Sequence, residues 1–398
     1  MAIRDKELLT QWAQLGALSG VHFLADVFPG TIHSVLPAIQ AEFLLSISLG
    51  GVLLVSFNIA SNWMQVATGH LRADRTNPLF MYLGLILAAM LCLLTILPRS
   101  QGSLPVMIVV VLIAGSGVAI VHPEALRAIH LLDRISPTVS TAFFMSGGIL
   151  GFAMGGKYAT ELVNHFGGVV GLLPLALCPL LCIPAVAFLK IRLAVEEHGE
   201  DARKQAGRRA VPFVPVLLMA TAAAVSSSTI VWIVPQKLKE AGFDLTFGGD
   251  SVMMFSLGGG MGAFFWAAAA RRFGDILSTC LAVSLGIPLI VCYAFFIEHE
   301  PAVWLLTGGS FCAFGAYPLT VSIARGASGP RLGRRMGWMV GGSWGVACLF
   351  PIVLAPVAER YGVDTILMLS PVGYVIAVVA AIWIMTGIKA VDTRRLPA

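Results

Sequence analysis

A carboxylate that shares a helical stripe with imidazoles can hold a proton and let it go. The first apolar run of this sequence carries such a set. His22, Asp26 and His33 stand at i, i+4 and i+11, which places all three on one face of a helix. Asp26 lies about ten to twelve residues from either end of the run, and His22 is one helical turn away. Burial and a neighbouring imidazolium act in opposite senses on a carboxyl's hold on its proton, so this pair has the chemistry of a proton exchanger. The same pair would also serve as a polar contact closing two helices together.

Other groups repeat the pattern of polar chemistry set into apolar runs. The fourth run ends in His122-Pro123-Glu124-Ala125-Leu126-Arg127. Proline removes a backbone hydrogen bond there. His122 and Glu124, two residues apart, point away from each other unless the proline distorts the turn, and Glu124 can pair with Arg127 at i+3. These three residues are expected to serve a cytoplasmic gate or the way in for substrate, the alternative being a charge cluster that ends the helix. By depth, His122 can approach His22, since each lies about 8–15 Å inside the same boundary. Asn58, Asn62 and Gln65, at i, i+4 and i+7, form an amide face suited to joining helices or lining a cavity. Gly147, Gly151 and Gly155 form a stripe that lets another helix approach closely, with Gly148 and Gly156 beside it. Lys157 follows, free to attract an anion, pair with Glu161, or snorkel outward. Ser226-Ser227-Ser228-Thr229, then Trp232, form a neutral hydroxyl patch in the seventh run, either lining a cavity or bonded to their own helix carbonyls. The substrate-binding candidates are therefore His33, Asn58, Asn62, Gln65, Lys157, Ser227, Ser228 and Trp232, together with Tyr317 in the tenth run.

The elements that must position these groups are membrane spans. Of 398 residues, 57% are hydrophobic and 12% charged, and the chain carries 42 Gly and 21 Pro. A soluble domain carries about twice that share of charge, so this composition excludes a water-soluble globule, a disordered chain and a coiled coil. Runs long enough to span a bilayer fall at about 12–38, 48–69, 78–98, 105–126, 137–163, 168–190, 212–236, 250–270, 276–297, 302–324, 336–358 and 365–388, twelve in all. The first is too long for a cleaved signal segment. The seven cysteines all lie inside these runs, which argues against a disulfide framework.

Charge sets the orientation. Of the 26 Lys and Arg, 21 lie in the N-terminus, the even-numbered loops and the C-terminal tail. Arg99, Lys237, Lys239 and Arg360 are the four in odd-numbered loops, and Lys157 stands within a span. This bias puts both termini and the polar break at 194–211 on the cytoplasmic side. The halves also repeat. Gly147-Gly148 matches Gly341-Gly342 and Gly115-Ser116 matches Gly309-Ser310, both at an offset of 194, while His165-Phe166-Gly167 matches Arg360-Tyr361-Gly362 at 195. The expected architecture is all-α: a six-helix bundle over 1–193, a cytoplasmic linker over 194–211 and a second six-helix bundle over 212–398. A central cavity lined by spans 1, 4, 7 and 10 would open alternately to each side. Span 7 is the repeat partner of span 1, so the charged stripe of one half would face the hydroxyl patch of the other.

Twelve spans in a 6+6 repeat with a basic linker resemble the major facilitator superfamily. Val21-His22-Phe23-Leu24-Ala25-Asp26, the run Leu36 to Phe43 ending in Glu42-Phe43, His122-Pro123-Glu124 and Gly147-Gly148-x-x-Gly151 are similar to its fosmidomycin resistance protein branch. The resemblance covers about the first 165 residues. It implies a proton-driven exporter of small molecules. The sequence also departs from the pattern. Gly69-His70-Leu71-Arg72-Ala73-Asp74-Arg75 places its Asp five residues after the Gly rather than four, and Arg271 stands where the repeat copy of that loop would carry an acid. Gly155-Gly156 replaces Gly-Pro, and Lys157 replaces an apolar residue. An added cation favours an anionic substrate or shifts the coupling chemistry.

The expected function is secondary active transport in the inner membrane: proton-coupled efflux of a small polar or anionic organic molecule, with Asp26 and His22 as the coupling pair. An uptake symporter on the same scaffold is the alternative, and a transport-inactive membrane sensor is a third. The partners expected are a small-molecule substrate, protons and the lipid bilayer, acting on a monomer, without nucleic acid. No phosphate-binding Gly-x-x-x-x-Gly-Lys-[Ser/Thr] run, nucleophile elbow or His-Glu-x-x-His occurs, so neither a cofactor nor enzyme activity is expected. No metal site is expected, since two histidines with carboxylates at unknown distances do not define one.

Overall fold

The computed structural model describes residues 2–71, 76–129, 131–135, 137–193, 211–329, 335 and 338–393. The side chains of the loop Gly69 to Arg75 and residues 194–210 of the expected linker lie outside the described residues. The described chain is helical, with one isolated bridge pairing Pro212 and Ser328. Eleven helical stretches are long and apolar enough to cross a membrane, and the 29-residue helix Pro137–His165 is a further one of spanning length.

α1 (Ala2–Phe43) is 42 residues long, or about 63 Å at 1.5 Å per residue, twice what the hydrocarbon core requires. It overruns the expected span of 12–38 at both ends. Its first turns are polar but helix-compatible, and they dock on the turn after the fourth span. The Arg134 guanidinium meets Glu7 at 2.9 Å, and Gln11 bonds both Asp133 (2.6 Å) and the Arg134 backbone N–H (2.8 Å). At the other end, Leu44 takes φ of 57° and closes the helix.

α2 (Ile47–Leu71), α4 (Leu104–Ile129) and α5 (Pro137–His165) are continuous. α3 (Leu79–Ala89) tightens into a 3-10 stretch over Met90–Ile96, and a second 3-10 stretch, Val169–Leu177, leads into α6 (Pro179–Phe188). Then follow α7 (Phe213–Glu240), α8 (Leu245–Phe273), α9 (Asp275–Phe296), α10 (Val303–Ala313) and α11 (Tyr317–Gly326). A π-helical turn (Trp338–Gly342) precedes α12 (Ser343–Ala347) and α13 (Phe350–Tyr361), and α14 (Val363–Leu369) and α15 (Val372–Thr393) finish the chain. Several of these restarts carry a proline in their first turn, Pro179, Pro318 and Pro351. Proline has no N–H to donate and its fixed φ suits a first helical turn, which fits these three positions at the start of a segment.

The chain forms two compact units, Met1–Glu197 with Gly242–Met253, and His198–Ala241 with Met254–Ala398. In the first, α1 packs on α5, and α2 and α3 pack on α4. The α1–α5 seam is made by the glycine stripe. A Cβ on Gly147, Gly151 or Gly155 would come within 2.6, 2.0 and 2.2 Å of the carbonyl oxygens of Ser19, Phe23 and Val27. Three glycines four residues apart thus lie on three carbonyls four residues apart, a contact of backbone on backbone. In the second unit α9 packs on α10, and α7 on α12 and α15. Gly258 and Gly262 of α8 meet the carbonyls of Thr307 and Phe311 by the same device.

Candidate functional site

The close α1–α5 seam brings the titratable residues of the first unit together. Asp26 on α1 is met from two sides. His22 Nε2, one turn before it, lies 3.3 Å from Oδ2, and His122 Nε2, on α4, lies 3.1 Å from Oδ1. The two imidazoles are edge to face with centroids 4.9 Å apart, and His22 is stacked on Phe144 of α5 at 4.2 Å. Each ring is also fixed from behind: His22 Nδ1 donates to the carbonyl of Phe144 and His122 Nδ1 to that of Val118, both at 2.8 Å. A carbonyl only accepts, so these contacts place the proton on Nδ1 and turn Nε2 of both rings toward the carboxylate.

Gly148 forms the floor of this cluster. A Cβ there would stand 2.4 Å from His22 Nε2 and 2.5 Å from Asp26 Oδ2, so glycine is required for the cluster to exist. Val21, Ala25 and Val121, next to these residues in sequence, and Phe144, stacked on His22, belong to one buried apolar cluster. The His22 side chain is 5% exposed, yet Asp26 and His122 keep 20% and 19%. The carboxylate is therefore only partly buried.

Other residues singled out by the sequence fall elsewhere. His33 is not part of the cluster: its Nδ1 donates to the carbonyl of Pro29 (2.7 Å), its Nε2 is 3.5 Å from the Asn58 amide, and its ring leans on Phe152. Asn62 and Gln65 donate to the carbonyls of Asn58 and Ser61 on their own helix, at 2.9 and 2.8 Å. Glu124 and Arg127 are both buried, and Glu124 Oε2 accepts the backbone N–H of Met81 at 3.1 Å, capping the first turn of α3. The two-residue offset from His122 thus sends the imidazole to α1 and the carboxylate to α3. Lys157 is held by Asp250 (2.7 Å) and Glu161 (3.5 Å), all within the first unit, so its charge is met twice. In the second unit the Ser227 hydroxyl bonds the Ala223 carbonyl (3.0 Å) and the Tyr374 hydroxyl (2.7 Å), and Ser226 accepts the Tyr374 backbone N–H. Ser228 is buried, and so is Trp232, whose indole N–H has no hydrogen-bond partner among the described residues. Tyr317 donates to the Met339 carbonyl at 2.7 Å and bonds Ser343 at 2.8 Å.

The sequence reading missed Asp250 as the partner of Lys157, although an acid opening a span is a visible signal. It also missed Gly148 as a steric requirement of the cluster and Arg99 as the partner of Glu42. That pair, at 2.9 Å, ties the end of α1 to the loop after α3, while the other Glu42 oxygen accepts the Val169 N–H. Neither of these two left a local signal, because their partners are distant in sequence.

The model of the Major Facilitator Superfamily matches residues 18–328. The fosmidomycin resistance protein of Escherichia coli (strain K12) is 25% identical over 158 residues, a match covering 40% of this chain and 38% of that protein. Among solved structures, a bacterial homologue of the human lysosomal transporter Spinster superposes with a TM-score of 0.70 at 14% identity, over 98% of this chain and 99% of that one. A mutant of the nucleoside transporter NupG gives 0.72 at 12% identity, over 93% and 99%. A peptide-bound transporter of the POT family gives 0.70 at 11%, over 94% and 95%.

Proposed function

Because this chain belongs to the Major Facilitator Superfamily and so is a multi-pass membrane transporter of small molecules, we propose that it is a proton-coupled exporter whose coupling centre is Asp26 with His22 and His122. The observation that carries this reading is the convergence of both Nε2 atoms on a carboxylate that remains one-fifth exposed. A carboxylate that bonds to protonated imidazoles must lose or gain that partnership when a proton leaves, and alternating access turns the change into work. One elementary charge moving across 100 mV contributes about 2.3 kcal/mol, so one returning proton supports export against some tens-fold gradient. The cargo is a small polar or anionic organic molecule, and phosphonate antibiotics such as fosmidomycin are the first compounds to try. The chain sits in the inner membrane with both termini cytoplasmic, as the Lys and Arg distribution supports.

The test is a drug-susceptibility panel in an exporter-deficient host, comparing the natural chain with Asp26→Asn. Protection against at least one compound by the natural chain, and its loss in the variant at equal membrane abundance, is the expected result. Equal protection by both chains would remove Asp26 from the coupling step. Flux into and out of proteoliposomes under an imposed pH gradient then decides between export and uptake on the same scaffold.

A further inference from the structure

The His22–Asp26–His122 cluster has a property that proton exchange does not require. Each imidazole donates its Nδ1–H to a backbone carbonyl, at 2.8 Å in both cases, so each neutral ring presents a lone pair at Nε2. Those lone pairs face a carboxylate, which is itself an acceptor. One ligand atom from each of the three residues lies within 4.8 Å of the others. We propose that His22, Asp26 and His122 form a binding site for a divalent first-row transition ion of the zinc type.

Three features support this assignment. First, the ligand atoms of a tetrahedral ion with bonds of about 2.0–2.1 Å stand about 3.3 Å apart; here one ligand atom from each residue lies within 4.8 Å of the others, with His22 Nε2 3.3 Å from Oδ2 and His122 Nε2 3.1 Å from Oδ1 of the same carboxylate. Second, the outer contacts are those of metal-binding histidine: the ring nitrogen not facing the ion is held by a backbone carbonyl, which fixes tautomer and orientation. Third, two imidazoles and one carboxylate suit zinc, cobalt or nickel and leave calcium and magnesium short of oxygen ligands. With three protein ligands and residual exposure at Asp26 and His122, the fourth position is open to water, as in exchangeable rather than closed structural sites. Gly148 supplies the space, since a Cβ would fill the gap between His22 and Asp26.

The experiment uses the full chain, purified without a polyhistidine tag, stripped with chelator and titrated with Co²⁺ alone. One ion per chain should bind saturably, with visible absorption of low-coordinate nitrogen and oxygen ligation, and Zn²⁺ should displace it. Asp26→Asn and His122→Gln should each weaken binding by at least about tenfold, while His299→Gln, an exposed histidine elsewhere, should not. X-ray absorption of the loaded natural chain needs no variant: two imidazoles in the coordination shell are expected, and one or none would overturn the proposal. Absence of saturable binding, or binding unchanged in both cluster variants, would overturn it as well. Proton coupling is read separately in proteoliposomes, so a metal site without coupling, or coupling without a metal site, shows which of the two readings fails.

Discussion

Gly148 and Gly151 lie three residues apart on α5 and fail in different ways when given a side chain. A methyl at 148 meets the ends of His22 and Asp26, which are side chains able to turn aside. A methyl at 151 meets the Phe23 carbonyl at 2.0 Å, and backbone cannot move without opening the α1–α5 seam. Gly148→Ala should therefore lose transport while costing about 1–3 kcal/mol or less in stability. Gly151→Ala should lower the thermal unfolding midpoint in detergent further than Gly148→Ala does. Thermal melts beside a transport assay, run on both variants, check the ordering. A Gly148→Ala chain with full activity would mean that the His22–Asp26 geometry is not needed.

At the scale of elements, α4 carries two acid-base residues with different duties. Pro123 stays inside the helix, and His122 and Glu124 leave it on different faces, one reaching Asp26 and the other Met81 N–H. Glu124 is thus a side-chain cap that fixes α3 against α4. Glu124→Ala removes a buried hydrogen bond to a carboxylate and leaves the Met81 N–H only the Pro78 carbonyl at 3.1 Å, and it should destabilise by about 1–3 kcal/mol. Glu124→Gln keeps an acceptor carbonyl and should recover most of that loss. Stability of the two variants in the same detergent tests the assignment, and a glutamine variant as unstable as the alanine one would show that the charge of Glu124 matters more than its cap.

At the scale of the whole molecule, the His22–Asp26–His122 cluster belongs to the first unit, while α7 in the second offers serine hydroxyls bonded to Tyr374 and pairs its buried Lys237 with Asp364 and Glu298. Tyr374→Phe removes one neutral hydrogen bond, worth about 0.5–1.5 kcal/mol, and should leave the proposed proton-coupled flux within about twofold of the natural chain, whereas Asp26→Asn should abolish it. Flux measured in matched proteoliposomes distinguishes them. The basic loops also predict an orientation: green fluorescent protein fused after Ala398 should fluoresce, and an alkaline phosphatase fused at the same point should stay inactive.

Composition and apolar run lengths by themselves determined that this chain is a helical membrane protein, because in hydrocarbon every backbone group must bond within its own segment. The i, i+4 spacing likewise put His22 and Asp26 within reach of each other, since one turn of helix is local geometry. The glycine stripe announced a close neighbour without saying which. Only tertiary packing chose α1 as that neighbour, carried His122 across 96 residues of sequence to the same carboxylate, and sent His33 away to Pro29 and Asn58. It also paired Lys157 with Asp250 and turned the amides of Asn62 and Gln65 back onto their own helix. Spacing fixes what one helix can present, but which helix receives it depends on side-chain shape over the whole bundle, and no short stretch of sequence contains that information.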